Sequence, residues 1–537
     1  MGRIVVLLSV MLGLLVGSAA AEDLRVGVCK RDITPISTGL AAAYTAHFGV
    51  PAVVNHSDPV WLAGFSTGRS AVDYHDRLWA RGLVIEGDGG RVAIVALDVI
   101  GYFRNEVEVI RKLISPASAI DYAVVASVHD HQGPDTLGLW GPDPLTTGID
   151  YAYLDFVNAA VARCIDEAAA SLRKARVRFA TTTTAGLSLG LAPPDDGFGV
   201  ADETVLAGDV TLAPATDGRI VDPTLAVMQL TTHGEPHAVI ATLVNFGSHP
   251  ESLGNKNRRI SADYPHAVRE RLEAEYGGLA VWLSGALGVL QSPLDIDVED
   301  PLTGLPAPRE TFRFAEVYGE KLADRAIHAL RRTGPGDSSP RVDFASTNVA
   351  IPLDNPFFRF FLAIGLNVRV PLVTNGVLDS SVGFPFPPPF DAIPQALGAD
   401  LQTEVAVLRI GKGTFAFLPT EVDPQIATGY RAQMRRGGHT FIVGLASDEL
   451  GYQVPFAKWD NSCHACAPFV LAGVAGLCPI QPIDCGTVFL NNVGRQVDPA
   501  ITSALELSLD ALGDERCART RTEFLRGAGA PPKQRAD

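Results

Sequence analysis

Histidine commonly presents a neutral nitrogen to a metal, and this chain of 537 residues has 12 of them. Two sit one residue apart in Val128-His129-Asp130-His131-Gln132-Gly133-Pro134. They follow the apolar run Tyr122 to Ala126, which reads as a strand buried on both faces and closed by a Gly-Pro turn. Alternation along a strand would put both imidazoles on one side and Asp130 on the other. A hydrogen-bonded pair of surface histidines would show the same spacing. The pattern recurs, however. Ala238 to Val244 leads into Ser248-His249-Pro250, Thr414 to Leu418 into Pro419-Thr420-Glu421, and Thr440 to Ala446 into a polar run that reaches Tyr452. A polar residue after a strand is ordinary when it stands alone. Together His129, His249, Glu421 and Tyr452 can deliver nitrogen and oxygen ligands from one edge of one sheet, the donor set of a catalytic zinc.

Those donors need elements to position them. Arg25 to Pro35 alternates enough for a strand, as does Asp73 to Arg81 continuing into Leu83 to Glu86, and Val92 to Leu97 is a clear buried strand. His75 and Asp76 are candidates to lie near the site, though strand-pairing polar residues are the commoner explanation. Helical spacing runs from Arg104 to Leu113, from Ile149 to Ala175 and from Asp423 to Arg436, and a last helix covers Pro499 to Leu512. Strands alternating with helices specify an α/β fold, a mixed β-sheet flanked by helices, and in such sheets ligands collect at the carboxyl ends of strands.

Composition narrows the class. The chain is 47% hydrophobic and 19% charged, with 44 basic against 60 acidic side chains and a formal charge of -16. No basic stripe is available to replace phosphate counterions, which argues against nucleic acid as a partner. No obligate protein partner is evident either. Residues 1 to 21 combine Arg3, an apolar core from Ile4 to Val16 and the small-residue tail Gly17 to Ala21, a secretory signal with cleavage expected after Ala21. An uncleaved anchor is the alternative, although the apolar core is shorter than the ~20 residues of a spanning helix. The expected product is exported, to the periplasm or outside. Seven cysteines fit that compartment. Cys463, Cys466, Cys478 and Cys485 crowd one loop and read as two local disulfides, with a small zinc site at Cys463, His464 and Cys466 as the alternative. Cys29 with Cys517 would tie the two ends together. Asn55-His56-Ser57 is a glycosylation acceptor in a host that glycosylates.

The spaced set Asp76-Arg-Leu-Trp-Ala-Arg81, Val128 to Pro134, Gly247-Ser-His-Pro250 with Asn257 to Asp263, Leu418-Pro-Thr-Glu421 and Gly451-Tyr452 resembles the amino-terminal catalytic domain of the neutral/alkaline ceramidase family. The resemblance runs over roughly residues 24 to 510, which makes 22–510 the catalytic domain and 511–537 a polar, disordered tail. It implies a zinc held by His129, His249, Glu421 and Tyr452, with His131 touching the reacting amide or moving protons. Tyr452 would either complete the ligand set or donate to the developing oxyanion. The family carries a Gly-Asp-Val-Ser-Pro segment whose serine is the assigned nucleophile. Here the corresponding stretch is Gly285-Ala-Leu-Gly-Val-Leu-Gln-Ser292-Pro293, so the aspartate is absent and the spacing is longer. Ser292 is the candidate nucleophile, and an ordinary serine before a proline turn is the alternative. The family's carboxy-terminal immunoglobulin-like domain has no counterpart in the sequence.

Between residues 355 and 394 lies an aromatic and Pro-rich insertion, including Phe357 to Leu362. It reads as a loop packed on the domain or as an apolar rim that receives an acyl chain and touches a membrane surface. The chemistry expected is hydrolysis of the N-acyl amide of ceramide or a related lipid amide. Zinc would lower the pKa of water toward ~7 and polarise the carbonyl, while His131 takes a proton from water or Ser292 and returns it to the leaving amine. Two other readings keep the fold: a metal-dependent hydrolase of a different amide or ester, and a non-catalytic lipid-binding protein.

Overall fold

The computed structural model describes residues 23–184, 222–353 apart from 235, 289, 290 and 295, then 355, 358, 372–374, 377, 378, 400–456 apart from 435–437, and 492–513. Its main strands are β1 (Arg25–Asp32), β2 (Trp79–Gly87), β3 (Gly90–Leu97), β4 (Tyr122–Ser127), β5 (Arg173–Thr183), β6 (Thr224–Thr232), β7 (Val239–Phe246) and β8 (Leu279–Ser284). They form one eight-stranded mixed sheet in the order β8-β7-β6-β5-β1-β2-β3-β4. The two outer pairs, β7 with β8 and β3 with β4, are parallel, and the pairs between them are antiparallel.

A second sheet is built from β9 (Val342–Pro352), β10 (Leu372–Thr374), β11 (Val377–Leu378), β12 (Asp400–Ile410), β13 (Gly413–Phe417) and, after the ladder strand β14 (Glu421–Val422), β15 (His439–Val443). Among the described residues β14 pairs only with β16 (Tyr452–Gln453), in parallel. The candidate ligands were expected along one edge of one sheet. They come instead from two sheets, because β13 pairs with β12 on one side and β15 on the other, not with β4 or β7. Short hydrogen bonds join the sheets where their strands end. Ser127 N donates to Leu445 O at 3.0 Å, Gly444 N to Ser284 O at 3.1 Å, and Asn245 Nδ2 to Ile442 O at 2.7 Å.

Alternation decides which face each strand buries. Along β3, Val92, Ile94 and Ala96 enter the large cluster shared with the second sheet, while Ala93, Val95 and Leu97 enter the cluster beneath α3 (Tyr151–Ala170). The second sheet repeats this. Phe415, Phe417, Phe441 and Val443 face the first sheet, whereas Ala416, Leu418 and Ile442 pack under α6 (Pro424–Met434) and α7 (Val497–Ala511). Each such fully buried aliphatic side chain is worth ~1.5–3 kcal/mol. The remaining helices are α1 (Ala41–Phe48), α2 (Arg104–Leu113), α4 (Asp263–Tyr276) and α5 (Phe312–Arg331). The last two meet at Tyr264 and Tyr318, whose rings are 4.9 Å apart.

Helix α3 starts where the Asp150 carboxylate accepts the Ala152 and Tyr153 N–H groups at 2.9 and 3.2 Å, a cap worth ~1 kcal/mol. It ends at Ala170, short of the expected Ala175, because Arg173 and Lys174 already pair with Val26 and Arg25 in the sheet. Cys29 forms its disulfide with Cys164, not with Cys517. β1 runs directly beneath α3, and Cys164 faces inward on that helix with Val161 and Ile165. The other four candidate disulfide cysteines, His464, Cys517 and the tail from residue 514 lie outside the described residues, as does most of the 355–394 insertion. Phe358 of that insertion packs, half-buried, against the cluster under α6 and α7. No helix among the described residues is long and apolar enough to cross a membrane.

Candidate metal and catalytic site

His129 does not continue its strand. β4 stops at Ser127, and His129 takes a left-handed backbone with φ 68°, a conformation that costs a non-glycine residue ~1–2 kcal/mol. The Val99 carbonyl holds it there by accepting the N–H groups of both His129 and Asp130 at 3.1 Å. Simple alternation is therefore not what brings the two histidines together, although their ring centroids are only 4.9 Å apart. The Ile100 carbonyl accepts from His129 Nδ1 at 2.8 Å. A proton fixed on Nδ1 leaves the Nε2 lone pair free, the usual way a ligand imidazole is oriented.

His249 is prepared in the same manner from the end of β7. The Gln291 carbonyl accepts its backbone N–H at 2.8 Å and its Nδ1–H at 3.1 Å. The Nε2 atoms of His249 and His129 lie 3.2 and 3.6 Å from one oxygen, Glu421 Oε2. Glu421 opens β14 and is the register partner of Tyr452 on β16, so the two side chains project to the same side. The Tyr452 hydroxyl donates to the Glu421 carboxylate. These four residues thus meet at one point, and all are buried.

His131 stands beside them. Its backbone N–H reaches Pro250 O at 3.1 Å, and one ligand atom from each of His129, His131 and His249 fits within a 4.8 Å group. Neither ring nitrogen of His131 makes a well-formed hydrogen bond. Phe65 packs edge-on against the ring with centroids 5.0 Å apart. Arg69 ties this wall together, donating to the carbonyls of Ala63 and His131 and to Gln132 Oε1.

Burial sets the protonation states. It pushes the His129 imidazole down to about 4 against the pull of Glu421, and depresses His131 and His249 as well. The same burial pushes the Glu421 carboxyl up to about 7, opposed by His129, and raises the Tyr452 phenol well above its usual value. A pocket that disfavours both imidazolium and bare carboxylate suits a divalent cation ringed by these nitrogen and oxygen donors. The unpartnered His131 nitrogens agree with that use of the space.

Ser292 is buried one residue beyond the Gln291 carbonyl that orients His249, and its hydroxyl bonds to Glu251. Glu251 escaped the sequence reading. Its carboxylate lies 3.5 Å from His131 Nδ1, and the only signal was an acidic residue directly after the His249-Pro250 pair. His75 and Asp76 lie outside the donor cluster. Asp76 accepts from Ser261 Oγ and Ala262 N, both at 2.6 Å, and anchors the short pairing of Asp73–Tyr74 with Arg259–Ile260. The Asn55 side chain is engaged inward, with Oδ1 accepting from Ile36 N at 2.7 Å and Nδ2 donating to Thr34 O at 3.1 Å.

No protein-family model matches this chain, and no curated protein does. Its fold is nonetheless shared with solved structures. Neutral ceramidase from Pseudomonas aeruginosa superposes with a TM-score of 0.57 at 18% identity, over 87% of this chain and 74% of that one. A ceramidase complexed with C2 gives 0.55 at 18% identity, over 88% and 76%.

Proposed function

We propose that this chain is an exported zinc-dependent amidohydrolase that cleaves the N-acyl amide bond of ceramide or a related lipid amide. The observation that carries this reading is the convergence of two pre-oriented imidazole Nε2 atoms on Glu421 Oε2, with the Tyr452 hydroxyl behind it. The shared fold supports the choice of substrate, since both solved structures are of ceramidases.

His129, His249, Glu421 and Tyr452 would hold the ion. When bound, zinc supplies Lewis acidity, polarising the amide carbonyl and acidifying water. The protein's own residues do the rest. The Ile100 and Gln291 carbonyls keep the two ligand lone pairs aimed inward. His131, neutral because it is buried, is the group able to accept a proton beside the reacting carbonyl and return it to the leaving amine. Ser292, beside Glu251, is the candidate nucleophile; its hydrogen bond to that carboxylate supports the role, while its oxygen also accepts the Leu294 N–H at 3.2 Å, as a turn serine does.

Metal content and fatty-acid release from an N-acylsphingosine panel, measured on the purified protein and on His249→Ala, test the proposal. About one zinc per chain, lost in the variant together with turnover, is the expected result. No metal in either protein would remove the zinc mechanism. Metal with turnover only on other amides or esters would change the substrate, and lipid binding without turnover would leave a non-catalytic binder.

A further inference from the structure

We infer that Glu251 is a positioning residue, holding the Ser292 hydroxyl and the His131 ring in one fixed arrangement beside the metal donors; the inference rests on the amidohydrolase reading above. Glu251 is buried in the turn that carries His249. Its backbone N–H donates to His249 O at 2.9 Å, and the intervening Pro250 carbonyl accepts the His131 N–H at 3.1 Å. One turn therefore sets the position of a metal donor, of the second histidine of the pair and of this carboxylate.

Buried acids elsewhere in the fold are compensated in one of two ways: Asp130, Asp135, Asp263 and Asp448 accept backbone N–H groups, and others pair with arginine. Asp98, Asp222 and Glu404 are of the second kind, paired with Arg269, Arg431 and Arg111 respectively. An arginine is an ordinary way to compensate a carboxylate in a core. Among the described residues Glu251 has no such partner within ion-pair distance. It faces His131 Nδ1 at 3.5 Å and accepts the Ser292 hydroxyl.

A neutral imidazole carries one proton. Nδ1–H pointing at a carboxylate is favourable, whereas an Nδ1 lone pair pointing at it is repulsive. Glu251 thereby selects the tautomer of His131 in which Nε2 is the acceptor. The same carboxylate takes the Ser292 hydroxyl hydrogen, while the oxygen accepts the Leu294 N–H at 3.2 Å and keeps its other lone pair directed away from the carboxylate. Removing the carboxylate frees both groups to rotate, and a misplacement of ~1 Å at a reacting group costs on the order of 10²-fold in rate.

The test uses Glu251→Ala, Glu251→Gln, Ser292→Ala and the Glu251→Ala/Ser292→Ala pair in the full chain. Zinc content, kcat and KM are measured on the N-acyl lipid the unmodified protein turns over best. We expect Glu251→Ala to keep its zinc and its KM within about twofold while kcat falls ~10²-fold, and Glu251→Gln to fall about tenfold. The double variant should be no slower than Ser292→Ala alone, because residues that act as a unit do not add. A second readout needs no turnover. In a protein labelled with ¹⁵N-histidine and assigned with His131→Gln, the His131 ring should show the Nδ1–H pattern, and lose it in Glu251→Ala or, if that variant does not fold, in Glu251→Gln. A folded variant with unchanged kcat and an unchanged His131 tautomer overturns the inference while the hydrolase reading stands. An unmodified protein inactive on every N-acyl lipid overturns that reading, and the tautomer then decides the role of Glu251 by itself.

Discussion

Gly64 offers the sharpest test of where His131 must stand. A Cβ built at this position would lie 2.4 Å from both Cγ and Nδ1 of the His131 ring, and the backbone there has φ +94°. Ordinary contact begins near 3.4 Å, so the ring must move by about 1 Å to admit an alanine. It has little room to do so, with Phe65 edge-on at 5.0 Å and the Glu251 carboxylate at 3.5 Å. Left-handed backbone adds ~1–2 kcal/mol for alanine, and displacing a packed ring adds about 1 kcal/mol more. With an unfolding entropy of ~2.1 cal/mol/K per residue, a chain of this size loses roughly 1 °C of Tm per kcal/mol. Gly64→Ala should therefore melt only about 2–3 °C lower, yet turn over ~10²-fold more slowly because its proton carrier is misplaced. Zinc content should stay at its original level, since His129, His249, Glu421 and Tyr452 are untouched. The assay is kcat on an N-acyl lipid beside metal analysis and a thermal melt. Full turnover in a folded Gly64→Ala protein would refute the role given to His131, and loss of zinc would make His131 a ligand.

Metal affinity should depend on pH in a direction that burial sets. The Glu421 carboxyl, raised to about 7, keeps its proton below that pH, while His129, lowered to about 4, stays neutral across the window. Binding must then expel one proton, so the zinc Kd, read by chelator competition, should rise about tenfold for each pH unit from about 7 down to 5 and level off above that range. A Kd independent of pH across this span would exclude Glu421 as a ligand. The Cys29–Cys164 bond joins residues 135 apart in sequence, and replacing both cysteines with alanine should cost about 2–5 kcal/mol, a Tm lower by ~2–5 °C on the same conversion. Peptide mapping without reductant checks the pairing, and a Cys29 peptide linked to Cys517 would contradict it.

The parts of this molecule that could be read from sequence are those decided by near neighbours. Val92 to Leu97, Ala238 to Val244 and Leu279 to Leu283 are runs too apolar to lie anywhere but inside, and each is a strand of the large sheet. Arg104–Leu113 keeps its apolar stripe and is helical over that range. His129, His249, Glu421 and Tyr452 stand out as candidates because each follows such a strand, yet nothing local says that the strands belong to two sheets. That depends on Thr414 to Phe417 pairing with both β12 and β15, a choice made by distant partners. The left-handed turn at His129 is likewise imposed from outside, by a carbonyl at Val99, and Glu251 looked like one polar residue among several in a loop. Cys29 found its partner through the packing of α3 on β1, which no cysteine spacing encodes. The four donors were legible as residues that follow buried strands; the hydrogen bonds that aim them, from Ile100, Gln291 and Tyr452, join positions remote in sequence. A donor set alone would bind metal in many orientations. Those remote bonds present two Nε2 lone pairs to the Glu421 carboxylate in a buried pocket, which is the condition for the chemistry proposed here.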